Sequence, residues 1–278
     1  MVLGGGGARG AAHIGVLRAL RASSVPIDVI GGTSAGAGVG AMLAMGWDDE
    51  AILAANLDGF VRSNPFRWPT LPLISLYSRS RMDALSRRLY GDLQIEDLWI
   101  DFYCVSCNLN RGGAMIHRRG SLWKAVRASS SVPGIAAPVV EGGELLVDGG
   151  VVDNLPGARM RELVDGKVIV VDVTLDQGMS VDIEYAEVPG PWRLLWRRLN
   201  PFSRKRRFPG ILDVLLRTVM VSSLPARARA LADADLVLRP PVDRFGMLDF
   251  GHIEEIARCA YEYAMERLRE ASLPREGT

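Results

Sequence analysis

Apolar residues along this chain fall in short continuous runs of strand length, separated by stretches in which apolar positions recur every three or four residues. That alternation reads as buried strands linked by amphipathic helices. Val2-Leu3 ends a first strand and runs into glycines; residues 11–22 follow as a helix, with Ile14, Leu17 and Leu20 on one face. Pro26 resets the chain for a second apolar run at 25–30, ending at Gly31-Gly32, and a small-residue helical run follows over 37–47. Further strand-like runs lie at 102–109, 144–147, 167–173 and 235–238. Helical stretches lie at 81–90, 122–129, 157–164, 211–233 and 252–271. The order strand, glycine turn, helix, strand, turn, helix belongs to parallel βαβ units. The pattern therefore predicts a single three-layer α/β/α domain over 1–278 with a mainly parallel central sheet. Two segments break it: 60–80 is Pro-rich and aromatic, and 188–208 is aromatic and basic. Both read as excursions from the core.

Composition adds bounds. With 48% hydrophobic residues and a net charge of +1, the chain can bury a large core, and nothing global points to a nucleic-acid partner. Three cysteines give no disulfide framework and suit a reducing, cytoplasmic compartment. Cys104 and Cys107 spell C-x-x-C, but residues three apart on a strand face opposite ways, so buried thiols are the better reading than a redox or zinc pair. The longest mostly apolar stretch, 35–47, is too short to span a bilayer. The start, Met1-Val2-Leu3 and then glycine, lacks the regions of a signal peptide. A first strand this short points to a longer parent chain.

The chemistry begins at Gly32-Thr33-Ser34-Ala35-Gly36, a G-x-S-x-G between a strand-like and a helix-like run. A serine on such a sharp turn has its hydroxyl pushed out above a helix N-terminus, and is a candidate nucleophile for acyl transfer. The loop Gly4-Gly5-Gly6-Gly7-Ala8-Arg9-Gly10 joins the first strand to the first helix. It is no Walker A loop, because no Lys-Ser or Lys-Thr follows. Gly5, Gly7 and Gly10 satisfy G-x-G-x-x-G, but Asp28 lies at the wrong end of the next strand to hold a ribose. The third reading is an oxyanion hole of bare amides, which G-x-S-x-G at the end of the following strand favours over the dinucleotide loop; a tight turn alone, or a nucleotide- or lipid-binding module built on the same loop, is the alternative. Parallel neighbours would bring both loops to one crevice.

The serine needs a proton acceptor. Asp148 ends the run Leu145-Leu146-Val147 and begins Asp148-Gly149-Gly150, which suits the site edge of an α/β sheet and equally suits a plain turn. A triad in the order Ser34, Asp148, His252 also fits, although His252 opens a long helix, where a cap or surface role is common. His13 reads as a packing residue, and His117, in a basic hairpin-like segment, as solvated. Three scattered histidines and no H-E-x-x-H imply no metal, and no cofactor is implied.

Together, Gly5-Gly6-Gly7-Ala8-Arg9-Gly10, Gly32-Thr33-Ser34-Ala35-Gly36 and Asp148-Gly149-Gly150 resemble the patatin-like phospholipases. Asn154-Leu155-Pro156 and residues 128–138 add to the likeness. Residues 3–20, 146–156 and 192–202 resemble the catalytic domain of the neuropathy target esterase branch. The short first strand departs from that family, and the upstream cyclic-nucleotide-binding modules of its larger members have no counterpart in this sequence. The resemblance implies a patatin-like fold and a serine–aspartate dyad without histidine: Ser34 as nucleophile, Asp148 as base, and Gly5, Gly6 and Gly7 holding the oxyanion. Arg9, Gly10, Gly32, Gly36, Gly149 and Gly150 complete the motifs, with Arg9 either orienting the loop or solvated at the surface. Such a dyad requires a desolvated Asp148 in close contact with Ser34, since an ordinary aspartate is a weak base. Lysophospholipids are the implied substrate class.

Trp192, Leu195, Trp196 and Leu199 share one helical face, with Arg204, Lys205, Arg206 and Arg207 close behind. This suits peripheral contact with an anionic membrane, and equally a core-packed helix with a solvated basic tail.

Overall fold

A computed structural model describes residues 1–67, 69–174, 190, 192 and 210–271. Its centre is an eight-stranded sheet of β1 (Val2–Leu3), β2 (Val29–Thr33), β3 (Asp101–Asn108), β4 (Gly113–His117), β5 (Val139–Glu141), β6 (Glu144–Asp148), β7 (Ile169–Val171) and β8 (Leu236–Leu238). The hydrogen-bonded path runs β5-β6-β3-β2-β1-β7-β8, with β4 joined to β3. Strands β8, β7, β1, β2 and β3 are parallel; β4, β5 and β6 are antiparallel to their neighbours.

Side chains leave the sheet alternately, so each strand feeds two cores. On one face Leu3, Ile30, Phe102, Cys104 and Val171 pack with α1 (Ala11–Ala22), α2 (Ala35–Ala44), α5 (Leu122–Ser129) and the last helix, Ile253–Ala271. On the other, Val2, Tyr103, Val105 and Val170 pack with α6 (Gly157–Leu163) and with Leu224–Ala232. Helices α3 (Asp49–Asn56) and α4 (Arg79–Tyr90) complete the first layer. After α6 come α7 (Ile211–Ser222), α8 (Leu224–Ala232) and α9 (Ile253–Ala271). The predicted α/β/α layering with a mainly parallel sheet is the architecture observed.

Local differences have physical reasons. The second strand is Val29–Thr33, not 25–30, because Gly31 and Gly32 are strand residues: a Cβ on Gly31 would enter the Tyr103 ring. The helix expected over 211–233 is two helices, α7 and α8, broken at Ser223 with Pro225 in the first turn of the second. The amphipathic α3 and the short antiparallel strand β5 were not anticipated, while β4 falls in the segment read as hairpin-like. Cys104 and Cys107 are buried, unpaired strand thiols.

One register decides where the site forms. Strand β4 pairs with Cys104–Asn108 along one edge of β3. A strand has only two edges, so β2, on residues 101–105, and β6, on 106–108, share the other. They run toward each other: Thr33 lies opposite Val105 and Asp148 opposite Ser106. The chain leaves both strands at one point, with Ser34 following Thr33.

Candidate active site

Ser34 sits on the turn from β2 into α2 with φ 55° and ψ −122°, in the left-handed region that side chains avoid. Such a residue costs on the order of 1–3 kcal/mol and persists only where its surroundings fix it. Here its N–H donates to Ser129 Oγ at 2.9 Å, and Ser129 Oγ donates to Val105 O at 2.6 Å. Its carbonyl accepts from the Gly38 N–H at 3.0 Å and from Ser130 Oγ at 3.3 Å. A Cβ on Gly36 would strike the Leu3 carbonyl, and one on Gly32 would come within 2.7 Å of the Ala37 nitrogen. Both motif glycines therefore answer to close approach between β1, β2 and α2. The positive end of α2 lies directly behind the serine.

Asp148 faces Ser34 from the end of β6 and is 3% exposed. Its Oδ1 accepts the Gly150 N–H at 2.7 Å, while Oδ2 has no hydrogen-bond partner among the described residues. Burial raises the carboxyl from 3.8 to about 6, opposed by the Ser34 hydroxyl beside it and the Gly150 amide. A Cβ on Gly149 would strike the Val105 carbonyl, and one on Gly150 would press on Asp148 Oδ1 at 3.0 Å.

The glycine loop enters the same crevice, since Gly7 and Ser34 line one cavity. The expectation of three oxyanion amides needs correction: the Gly5 N–H donates to Asn154 O at 3.1 Å and is spent. The Gly6 and Gly7 amides have no acceptor among the described residues. Asn154 also donates through Nδ2 to Gly5 O at 3.1 Å, so it holds Gly5 through both of its backbone polar groups. Arg9 is fully buried rather than solvated, and its Nε donates to Gly6 O at 3.3 Å. Burial draws its guanidinium down to about 10 against the pull of Asp243 and Asp172. Gly10 is packed against the Ala35 methyl. His13 Nε2 donates to Gly4 O at 2.7 Å, and burial lowers its pKa to about 4, so the ring is a neutral brace for the loop.

The other two histidines lie elsewhere. His252 is exposed, with Nδ1 at 3.2 Å from Glu255 Oε2, and it is not among the groups that perturb Asp148. His117 is buried, not solvated: pairing of β4 with β3 turns it inward, 2.7 Å from Ser106 Oγ, and burial lowers its pKa.

From Ser34 a cavity of about 140 Å³ extends into the layer between α2, α4 and α5. Gly38, Val39, Met42, Leu85 and Leu89 form its walls, and Phe60, Phe66 and Phe250 lie over it. Phe66 and Phe250 stack at 5.2 Å, and Phe60 and Phe250 at 4.9 Å. An apolar space of this size suits hydrocarbon, not water.

A family model described as patatin-like phospholipase matches residues 1–158, more than half of the chain. The chain belongs to the patatin-like phospholipase family. Lysophospholipase nte1 of Emericella nidulans is 35% identical over 284 aligned residues, covering 99% of this chain and 18% of that protein. Lysophospholipase NTE1 of Pyricularia oryzae is 37% identical over 286, covering 99% and 19%. The chain thus spans less than a fifth of the length of these curated relatives. Among solved structures, VipD from Legionella pneumophila is similar with a TM-score of 0.52 and 13% identity, covering 96% of this chain and 66% of that one, a likeness of fold alone.

Within this patatin-like site, sequence reasoning assigned no role to Ser129, Ser130 or Asn154. The serines at the end of the 122–129 helix and the Asn-Leu-Pro after Asp148-Gly149-Gly150 were visible signals, without partners to give them meaning. Trp196 and Arg204 to Arg207 lie outside the described residues; Trp192 is described and exposed.

Proposed function

We propose that this chain is a serine hydrolase of lipid carboxylic esters, acting on lysophospholipids through Ser34 and Asp148. The observation that carries the reading is the head-to-head meeting of β2 and β6, which puts a strained serine beside a desolvated carboxylate. At about 6 the Asp148 carboxylate is ionised at neutral pH, yet far more basic than an ordinary aspartate. It takes the Ser34 proton as Oγ attacks the ester carbonyl. The amides of Gly6 and Gly7, with the start of α2, receive the charge that develops on oxygen. Asp148 then returns the proton to the leaving alcohol, which departs and leaves Ser34 acylated. Water, deprotonated by the same carboxylate, releases the fatty acid and restores Ser34.

The apolar cavity beside Ser34 supports an acyl chain as the bound group. The names of the curated relatives support a lysophospholipid as substrate. The reading places the chain in the cytoplasm at a membrane face. Among the described residues no helix is long and apolar enough to cross a membrane, and the basic run Arg204, Lys205, Arg206 and Arg207 supplies charge for anionic lipid.

Fatty-acid release from a panel of lysophospholipids, diacyl phospholipids and triacylglycerols tests the proposal. Release should be fastest from lysophospholipids and absent in Ser34→Ala. Equal release by that variant, or none from any lipid ester, would overturn it.

A further inference from the structure

Residues 69–78 carry no charge and are flanked by the exposed Arg67, Arg79 and Arg81. They form a finger closed by a bridge between Pro69 and Tyr77. Its polar groups bond to one another within the turn: the Thr70 N–H donates to Leu76 O at 2.7 Å, Thr70 Oγ1 to Ser75 O at 3.3 Å, and Ser75 Oγ to Tyr77 O at 2.9 Å. Its aliphatic side chains turn outward, with Leu71 75%, Leu73 83% and Ile74 75% exposed. A surface turn in water shows the reverse arrangement, and a contiguous exposed apolar patch marks a contact.

The finger grows from the roof of the cavity. Phe66, just before it, lines the cavity, and Tyr77, at its far stem, meets Phe66 edge-on at 5.2 Å. The Leu76 and Tyr77 amides donate to Gly134 O and Ile135 O at 2.8 and 3.1 Å, and Ile135 lines the cavity. We infer that Leu71, Leu73 and Ile74 insert into the acyl region of a lipid surface and hold the mouth of the Ser34 cavity against it. The occupant is lipid because Phe66, at the base of the finger, lines the apolar cavity beside Ser34, and because arginines flank an uncharged tip, as at a headgroup boundary. This inference rests on the lipid-hydrolase reading for its purpose, but its test does not.

The test is sedimentation with vesicles of phosphatidylcholine, with and without phosphatidylserine, alongside hydrolysis of a soluble short-chain aryl ester. Replacing Leu71, Leu73 and Ile74 together by Ser should weaken vesicle binding about tenfold or more. It should leave the soluble ester rate unchanged, since none of the three lines the cavity. In a separate variant, Ile74→Trp, the indole emission should shift to the blue on adding vesicles. Wild-type vesicle binding by the triple variant, or an unmoved Ile74→Trp spectrum, would overturn the inference. So would loss of self-association in the triple variant with vesicle binding intact, which would make the occupant a second copy of the chain. An inactive enzyme that still binds vesicles through the finger would sink the hydrolase reading and leave this one standing.

Discussion

Replacing Asp148 by Asn should strengthen the fold while stopping the chemistry. The carboxyl is 3% exposed, and burial moves it from 3.8 to about 6. A carboxyl that is harder to ionise in the folded chain than in the unfolded one makes the folded state hold its proton between those values. Its effect on stability is therefore nil below 3.8, grows unfavourable as pH rises toward about 6, and is fully unfavourable above. At 1.36 kcal/mol per tenfold, the ionised carboxylate costs about 3 kcal/mol at neutral pH. Asn keeps an acceptor for the Gly150 N–H, now met by Oδ1 at 2.7 Å, and carries no charge to desolvate. Thermal unfolding at alkaline pH should show Asp148→Asn melting several degrees above wild type, at about 2 °C per kcal/mol for a chain of this size. The gap should close near pH 4. Hydrolysis of a soluble aryl ester should fall by about a hundredfold to ten-thousandfold. Wild-type kcat/KM should rise with pH through about 6 and then level off. Asp153 is also raised to about 6 by burial, so Asp153→Asn is the control that should leave this limb in place. An Asp148→Asn variant that melts below wild type at alkaline pH, or hydrolyses ester at the wild-type rate, would refute the reasoning.

Other substitutions probe the remaining parts. His252→Ala should keep most ester hydrolysis, because the ring pairs with Glu255 at the surface; loss comparable to Asp148→Asn would restore a triad. Ser129→Ala removes the acceptor that holds the Ser34 amide, and kcat for the aryl ester should drop about tenfold or more with KM little changed. Val39→Trp, in the cavity wall, should slow long-chain lysophospholipids while sparing short aryl esters, read as the ratio of the two kcat/KM values. Vesicle binding should weaken with salt and with Arg204 to Arg207 replaced by Ser, as sedimentation would show.

Much of this was legible in the sequence because it is local. Gly32 to Gly36 and Gly4 to Gly10 announce themselves by backbone demands that only glycine meets, and strand–turn–helix context followed from apolar periodicity. What hid was set by distant partners. Asp148 was picked as the end of a strand, but the reason it reaches Ser34 is that β6 runs antiparallel along the edge β2 vacates, a register no short window encodes. The Gly5 amide looked free until Asn154, far along the chain, took it. His117 looked solvated, and Arg9 could be read either way, because charge and polarity in a short stretch say nothing of what a sheet or a loop folds over them. The break at Ser223 carries a local signal in Pro225, which falls in the first turn of the second helix.

The account turns on whether Ser34 is the atom that attacks. Labelling with a fluorophosphonate, followed by mass spectrometry of the digested protein, reads this directly. The adduct should map to Ser34, vanish in Ser34→Ala and form much more slowly in Asp148→Asn. An adduct on another residue, or unchanged labelling of Ser34→Ala, would contradict it.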